Sequence, residues 1–184
     1  MENQALVIID VQNNYFKGGY CQLYNSEGTT IKIKKVIDYF RESKKPIYYI
    51  KHDFTISGIT EEENEKLRSI NDIIKPKKGD VIIEKKYPSS FLKTTLKKEL
   101  DARDIKELVI VGMMSHMCVD TTVRAAMDYG YKVVVLEDGC TTKSLETKSG
   151  EVSAEVVHNV FMASLQGLFA EIKTVDEYLR ECKA

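Results

Sequence analysis

ELVIVGMMSHMCVDTTVRAAMDYG (Glu107 to Gly130) decides the fold. Its first six residues, Glu107 to Gly112, are an apolar run of strand length. From about Cys118 to Gly130 the apolar residues recur at helical spacing. Gly130 suits the left-handed cap that ends a helix. A strand feeding a helix through a short turn is the repeating unit of a parallel sheet. It also places Cys118 where the helix begins, beside unpaired N–H groups and the positive end of the helix dipole. A free thiol titrates near about 8.5, and such a setting lowers this to roughly 3.5–7.5. Cys118 is therefore expected to be an activated nucleophile.

The same alternation extends outward in both directions. ALVIID (Ala5 to Asp10) reads as a buried first strand and Ile31 to Ser43 as a helix, with Ile33, Val36, Ile37 and Phe40 on one face. IYYIKH (Ile47 to His52) is a second strand. Thr60 to Lys78 is polar and reads as a short helix plus loop. VIIEK (Val81 to Lys85) is a third strand, and a helix is expected near Phe91 to Leu100. After the deciding segment come the strand YKVVVLED (Tyr131 to Asp138) and a long helix over about Val152 to Leu168. AEIKT then reads as a short strand, and TVDE (Thr174 to Glu177) as a capping box opening a last helix. Strands that are apolar throughout are buried on both faces. The expected fold is α/β: three layers, α/β/α, around a mostly parallel central sheet of Rossmann-like type. No linker, repeat or low-complexity tract divides residues 1–184, so one domain is expected.

Composition narrows the function. Formal net charge is -1 over 184 residues, which gives no case for nucleic acid or an anionic membrane as partner. No apolar run approaches the ~20 residues of a membrane span, and LVII (Leu6 to Ile9) is too short for a signal-peptide core. A cytoplasmic location is expected. The four cysteines, Cys21, Cys118, Cys140 and Cys182, show no CxxC spacing, so neither a zinc site nor a dithiol redox motif is indicated.

In a doubly wound sheet, ligands bind beyond the carboxyl ends of the strands. Asp10, Lys85 (with Lys86 beside it) and Cys118 all stand there. Each has an ordinary reading: a turn-forming acid, a surface lysine, a small core residue. Together they make a nucleophilic site in which the thiolate attacks, the aspartate relays protons and the ammonium favours both negative charges. Of the histidines, His52 at the end of the second strand is the candidate pocket residue. His116 is too close in sequence to Cys118 to face it, and His158 reads as a satisfied interior histidine.

These residues and their surroundings resemble the isochorismatase-like cysteine hydrolase family, which includes nicotinamidases and N-carbamoyl amidohydrolases. DVQNNYFKGG (Asp10 to Gly19) is similar to the family's D-x-Q-N-D-F opening. EKKYPSSF (Glu84 to Phe91) is similar to its K-x-x-x-S-x-F segment. Gly112 to Tyr131 is similar to its G-x-x-T-x-x-C-V-x-x-T-x-R-x-A signature. The resemblance implies Asp10 as general acid/base, Lys85 rather than Lys86 as the lysine, and Cys118 as nucleophile. It implies a non-proline cis peptide between Met113 and Met114, with the N–H groups of Met114 and Cys118 forming an oxyanion hole, and a supporting role for Gln12. Gln12, Tyr15, Phe16, His52, Tyr87 and Phe91 are the expected pocket residues.

There are departures. Asn14 stands for a frequent Asp, Tyr15 for Phe and Ser115 for Thr. Nicotinamidases carry an Asp-x-His pair and further histidines that bind a metal. Here Thr55 falls where the paired histidine would be, and no histidine follows until His116. The expectation is therefore an amidohydrolase of small-molecule amide or carbamoyl bonds with no metal and no cofactor, forming a homo-oligomer, dimer or tetramer, as family members frequently do. A redox-sensing or peroxide-reactive thiol on the same scaffold is the alternative, and a silent binding protein a third.

Overall fold

Apolar side chains alternate between the two faces of each central strand, and both faces are covered. The computed structural model describes residues 3–183. Six strands form one sheet in the order β3-β2-β1-β4-β5-β8. They are β1 (Gln4–Ile9), β2 (Ile47–His52), β3 (Val81–Lys85), β4 (Glu107–Met113), β5 (Lys132–Thr141) and β8 (Glu171–Lys173). All five pairings are parallel. Ala5, Val7 and Ile9 of β1 and Leu108 and Ile110 of β4 point to one face. There they meet Leu96 and Leu100 of α3 (Leu96–Ala102), Val123 and Ala126 of α4 (Asp120–Asp128), and Met162 and Leu165 of α5 (Ala154–Leu165). Leu6 and Ile8 of β1 and Val109 and Val111 of β4 point the other way. They pack on Ile33, Val36, Ile37 and Phe40 of α1 (Ser26–Glu42) and on Val175 and Tyr178 of α6 (Val175–Glu181). Each such side chain contributes about 1.5–3 kcal/mol when fully buried, so two filled layers hold the sheet between them.

The sequence order reverses between β1 and β4, which is where this topology opens a crevice at the carboxyl ends. The two strands approach closely there. Ile9 pairs with Gly112, and a Cβ on Gly112 would lie 2.1 Å from the Ile9 carbonyl oxygen. Gly112 also has φ 127°, a conformation open to glycine alone in practice.

Several boundaries differ from the sequence reading. Helix α1 starts at Ser26, not Ile31, because Ser26 Oγ donates to the Tyr15 and Leu23 carbonyls and Thr30 Oγ to that of Ser26. The helix expected from Phe91 begins at Leu96. Ser90 is instead tied to Thr122 on α4, and Lys93 has φ 54°. Strand β5 runs on to Thr141, and a hairpin of β6 (Leu145–Thr147) and β7 (Gly150–Val152) precedes α5. The short helix α2 (Glu61–Arg68) and the capping box at Thr174 match their sequence signals, and a second capping box, at Thr60, opens α2. Among the described residues no helix is long and apolar enough to cross a membrane.

Candidate active site

Three strand ends and one turn build the site. Asp10 follows β1 with φ 51°, held by its N–H to the Ile50 carbonyl at 3.0 Å. His52 and Lys85 are register partners ending β2 and β3. Strand β2 separates β3 from β1, so Lys85 starts two strand spacings, about 10 Å, from the Asp10 strand. Only a side chain of lysine or arginine length crosses that gap. Cys118 lies in a single wide π turn, Ser115–Val119, inserted between β4 and α4. The turn runs directly into α4 at Asp120, so the thiol lies two residues before the regular helix, close to the expected start.

The Lys85 ammonium is the hub. Its Nζ is 2.7 Å from Asp10 Oδ2, 3.2 Å from Cys118 Sγ, 3.1 Å from the Tyr87 carbonyl oxygen and 3.3 Å from His52 Nδ1. The side chains of Asp10 and Lys85 have no solvent exposure, and Cys118 is 2% exposed. The Asp10–Lys85 contact is a fully buried ion pair through Oδ2, and Oδ1 makes no hydrogen bond. Lys85, not Lys86, occupies the site; Lys86 is on the surface, 3.3 Å from Asp53.

The electrostatics reverse one expectation. Burial pushes the Cys118 thiol up to about 12, the Asp10 carboxylate pushes the same way, and Lys85 pulls against them. In this geometry desolvation disfavours the thiolate more than the ammonium favours it. Cys140 is likewise buried and pushed up to about 12. A redox sensor needs an accessible, ionised thiol, and neither cysteine is one. The Tyr15 hydroxyl is pushed up by burial first, then by Asp10 and Cys118, so it stands neutral beside them.

Asp10, His52 and Cys118 offer an oxygen, a nitrogen and a sulfur within 4.8 Å of one another, a spacing compatible with a metal. The Lys85 ammonium already lies within 3.3 Å of one donor atom on each of the three. A divalent cation there would sit against a fixed positive charge, so these residues do not fit a metal while the lysine is protonated.

The expected pocket residues divide. Gln12 is fully buried and its amide is spent on backbone: it donates to the His52 and Arg68 carbonyls and accepts from the His52 N–H at 2.8 Å. It braces His52 and does not line the pocket. Phe91 is core, stacked on Tyr131 and tilted against Tyr129. His52 stays beside the hub, 3.7 Å from Asp10 Oδ2, and is partly exposed. Tyr87 borders a cavity of about 250 Å³ that reaches Lys85 and includes Asp53, Lys86 and Lys93. Phe16 lines a different cavity, of about 460 Å³, with Asn13, Tyr20 and Leu67. The Met113–Met114 peptide is cis. The Met114 carbonyl accepts from the N–H groups of Met117 and Val119, closing the turn that carries Cys118. The sequence reading missed the Tyr87 carbonyl as a lysine acceptor. A backbone atom leaves no compositional signal.

Comparison with known proteins adds to this geometry. The Isochorismatase domain family model matches residues 4–176. The uncharacterized isochorismatase family protein YddQ of Bacillus subtilis is 38% identical, over 96% of this chain and 98% of its own. Ureidoacrylate amidohydrolase RutB of Rhizobium rhizogenes is 24% identical, over 95% of this chain and 81% of its own. A putative isochorismatase hydrolase from Oleispira antarctica, solved as a crystal structure, superposes with a TM-score of 0.90 at 34% identity, covering 97% of each chain. A domain match over nearly the whole chain, together with this fold, makes the chain a hydrolase of the isochorismatase family.

Proposed function

We propose that the protein hydrolyses a small-molecule amide or carbamoyl C–N bond through a thioester on Cys118. The observation that carries this is the Lys85 ammonium touching both a buried carboxylate and a buried sulfur. As Cys118 Sγ forms its bond to the substrate carbonyl carbon, the thiol proton passes to Asp10. The ammonium offsets the negative charge on either side of that transfer. The carbonyl oxygen becomes an oxyanion, stabilised by the N–H groups of Met114 and Cys118; one such donor contributes about 2.7–4 kcal/mol in the transition state. When the C–N bond breaks, Asp10 returns the proton to the leaving nitrogen. Asp10 then takes a proton from water, which adds to the thioester carbonyl. Collapse expels the sulfur, which recovers its proton from Asp10. Asp10 lies beside the ammonium and within 4.8 Å of the sulfur, as a group that moves the thiol proton requires. Tyr15, His52 and Tyr87 are the residues we assign to substrate contact.

RutB is by name an amidohydrolase, which supports the C–N choice over other hydrolyses. The test is a panel of amides and N-carbamoyl compounds, read by ammonia release, with intact-mass detection of an acyl adduct. Cys118→Ala is expected to lose turnover and adduct together. Turnover that survives in Cys118→Ala ends the thioester reading.

A further inference from the structure

The turn that carries the proposed oxyanion donors is not held by its own backbone alone. Met114, which opens it, has no side-chain cap. The next residue, Ser115, is fully buried, and its Oγ lies 2.7 Å from Nδ1 of His158 on α5. His116 hydrogen-bonds Thr142 just past β5, and its ring packs edge-on against Phe161, also on α5. Two successive residues of the turn are thus pinned to α5 or to the end of β5. Both histidine rings are half-buried, and both serve a buried hydroxyl, Ser115 for His158 and Thr142 for His116. The Ser115–His158 contact is the one that adjoins Met114 directly.

We infer that His158 is a positioning residue for the oxyanion turn, acting through Ser115 to fix the Met114 N–H relative to Cys118. This rests on the thioester reading above. A displacement of about 1 Å at a reacting centre costs up to about 100-fold in rate. The contribution of His158 should therefore appear only in steps that develop an oxyanion. Burial lowers the His158 basicity, so the ring is neutral and its contact with Ser115 is an ordinary hydrogen bond. An asparagine places either an oxygen or an N–H₂ near the Nδ1 position and satisfies the serine in either role.

Two reactions of the same sulfur separate this role from general damage. Acylation by p-nitrophenyl acetate forms the S–C bond, expels p-nitrophenolate and passes the thiol proton to Asp10 through an oxyanion. Alkylation by iodoacetamide forms an S–C bond and expels iodide with no oxyanion. His158→Ala is expected to slow acylation of Cys118 by about 10- to 100-fold and leave alkylation within about twofold. His158→Asn should restore most of the acylation rate. Ser115→Ala removes the same hydrogen bond from the other side and should reproduce the defect, which keeps the test open if His158→Ala folds poorly. Equal slowing of both reactions, or no slowing of acylation, overturns the positioning role. A wild-type Cys118 that alkylates but never acylates overturns the thioester reading itself.

Discussion

Asp10 and Lys85 pull the Cys118 thiol in opposite directions, and that opposition separates sulfur reactivity from catalysis. Asp10 pushes the thiol up and Lys85 pulls it down. Asp10→Asn removes the carboxylate charge and is expected to lower the thiol titration. Alkylation by iodoacetamide near neutral pH should then be several-fold faster than wild type. The same variant has lost its proton carrier, so amide turnover should fall by about 10²–10⁴-fold. Lys85→Met has the reverse effect on the sulfur: alkylation slows, because the thiolate loses its counter-ion. The pH dependence of labelling, read by peptide mass spectrometry, checks both. An Asp10→Asn protein that labels more slowly than wild type would show that the carboxylate does not add to the burial that disfavours the thiolate. The three principal residues were legible in the sequence because each closes a strand or follows one. The titration of Cys118 was not. A helix-start position argues for a thiolate, but the depth of burial and the proximity of Asp10 are set by strand packing, which no local motif carries.

At the scale of elements, the junction of β1 and β4 sets where these residues meet. Gly112 pairs with Ile9, one residue before Asp10 and six before Cys118. Gly112→Ala forces a Cβ to 2.1 Å from the Ile9 carbonyl oxygen at a φ that L-residues rarely adopt. Backbone strain and overpacking each cost about 1–3 kcal/mol, so a loss of about 3 kcal/mol in urea unfolding is expected. A loss below about 0.5 kcal/mol would mean that the strands separate freely there. The strands were readable because each is an unbroken apolar run, and α4 because its apolar face keeps helical spacing up to Gly130. The elements that escaped are those whose sequence is polar or borrowed. LETKSGEV between Leu145 and Val152 forms a hairpin with little apolar content to mark it. The irregular chain ahead of α3 takes its course from Ser90 bonding to Thr122 on another helix. Phe91 reads as a pocket aromatic beside the site motif. It packs instead on Tyr129 and Tyr131, partners about forty residues away whose approach follows from the sheet order.

For the whole molecule, two buried thiols couple folding to alkaline pH. Cys118 and Cys140 sit on the same side of the sheet and both are pushed from 9.0 up to about 12, by burial above all. In the unfolded chain each ionises near its ordinary value. The folded chain therefore keeps protons that the unfolded chain has released. Stability from this source is fully present below about pH 9. It falls as pH rises toward 12, because the unfolded state then binds fewer protons than the native state. Each thiol adds a slope of at most about 1.4 kcal/mol per pH unit. Tyr15, Tyr49, Tyr131 and Tyr178 are also pushed upward, but from 10.0, so their contribution enters later. Urea unfolding between about pH 8.5 and 10 isolates the thiols. Cys140→Ala leaves Asp10, Lys85 and Cys118 in place and removes one of the two linked protons. It is expected to be less stable than wild type at pH 7 and to lose further stability more slowly as pH rises, with the slope reduced by roughly half. A slope equal to that of wild type would mean that Cys140 is reached by water in the native state and ionises there as it does in the unfolded chain.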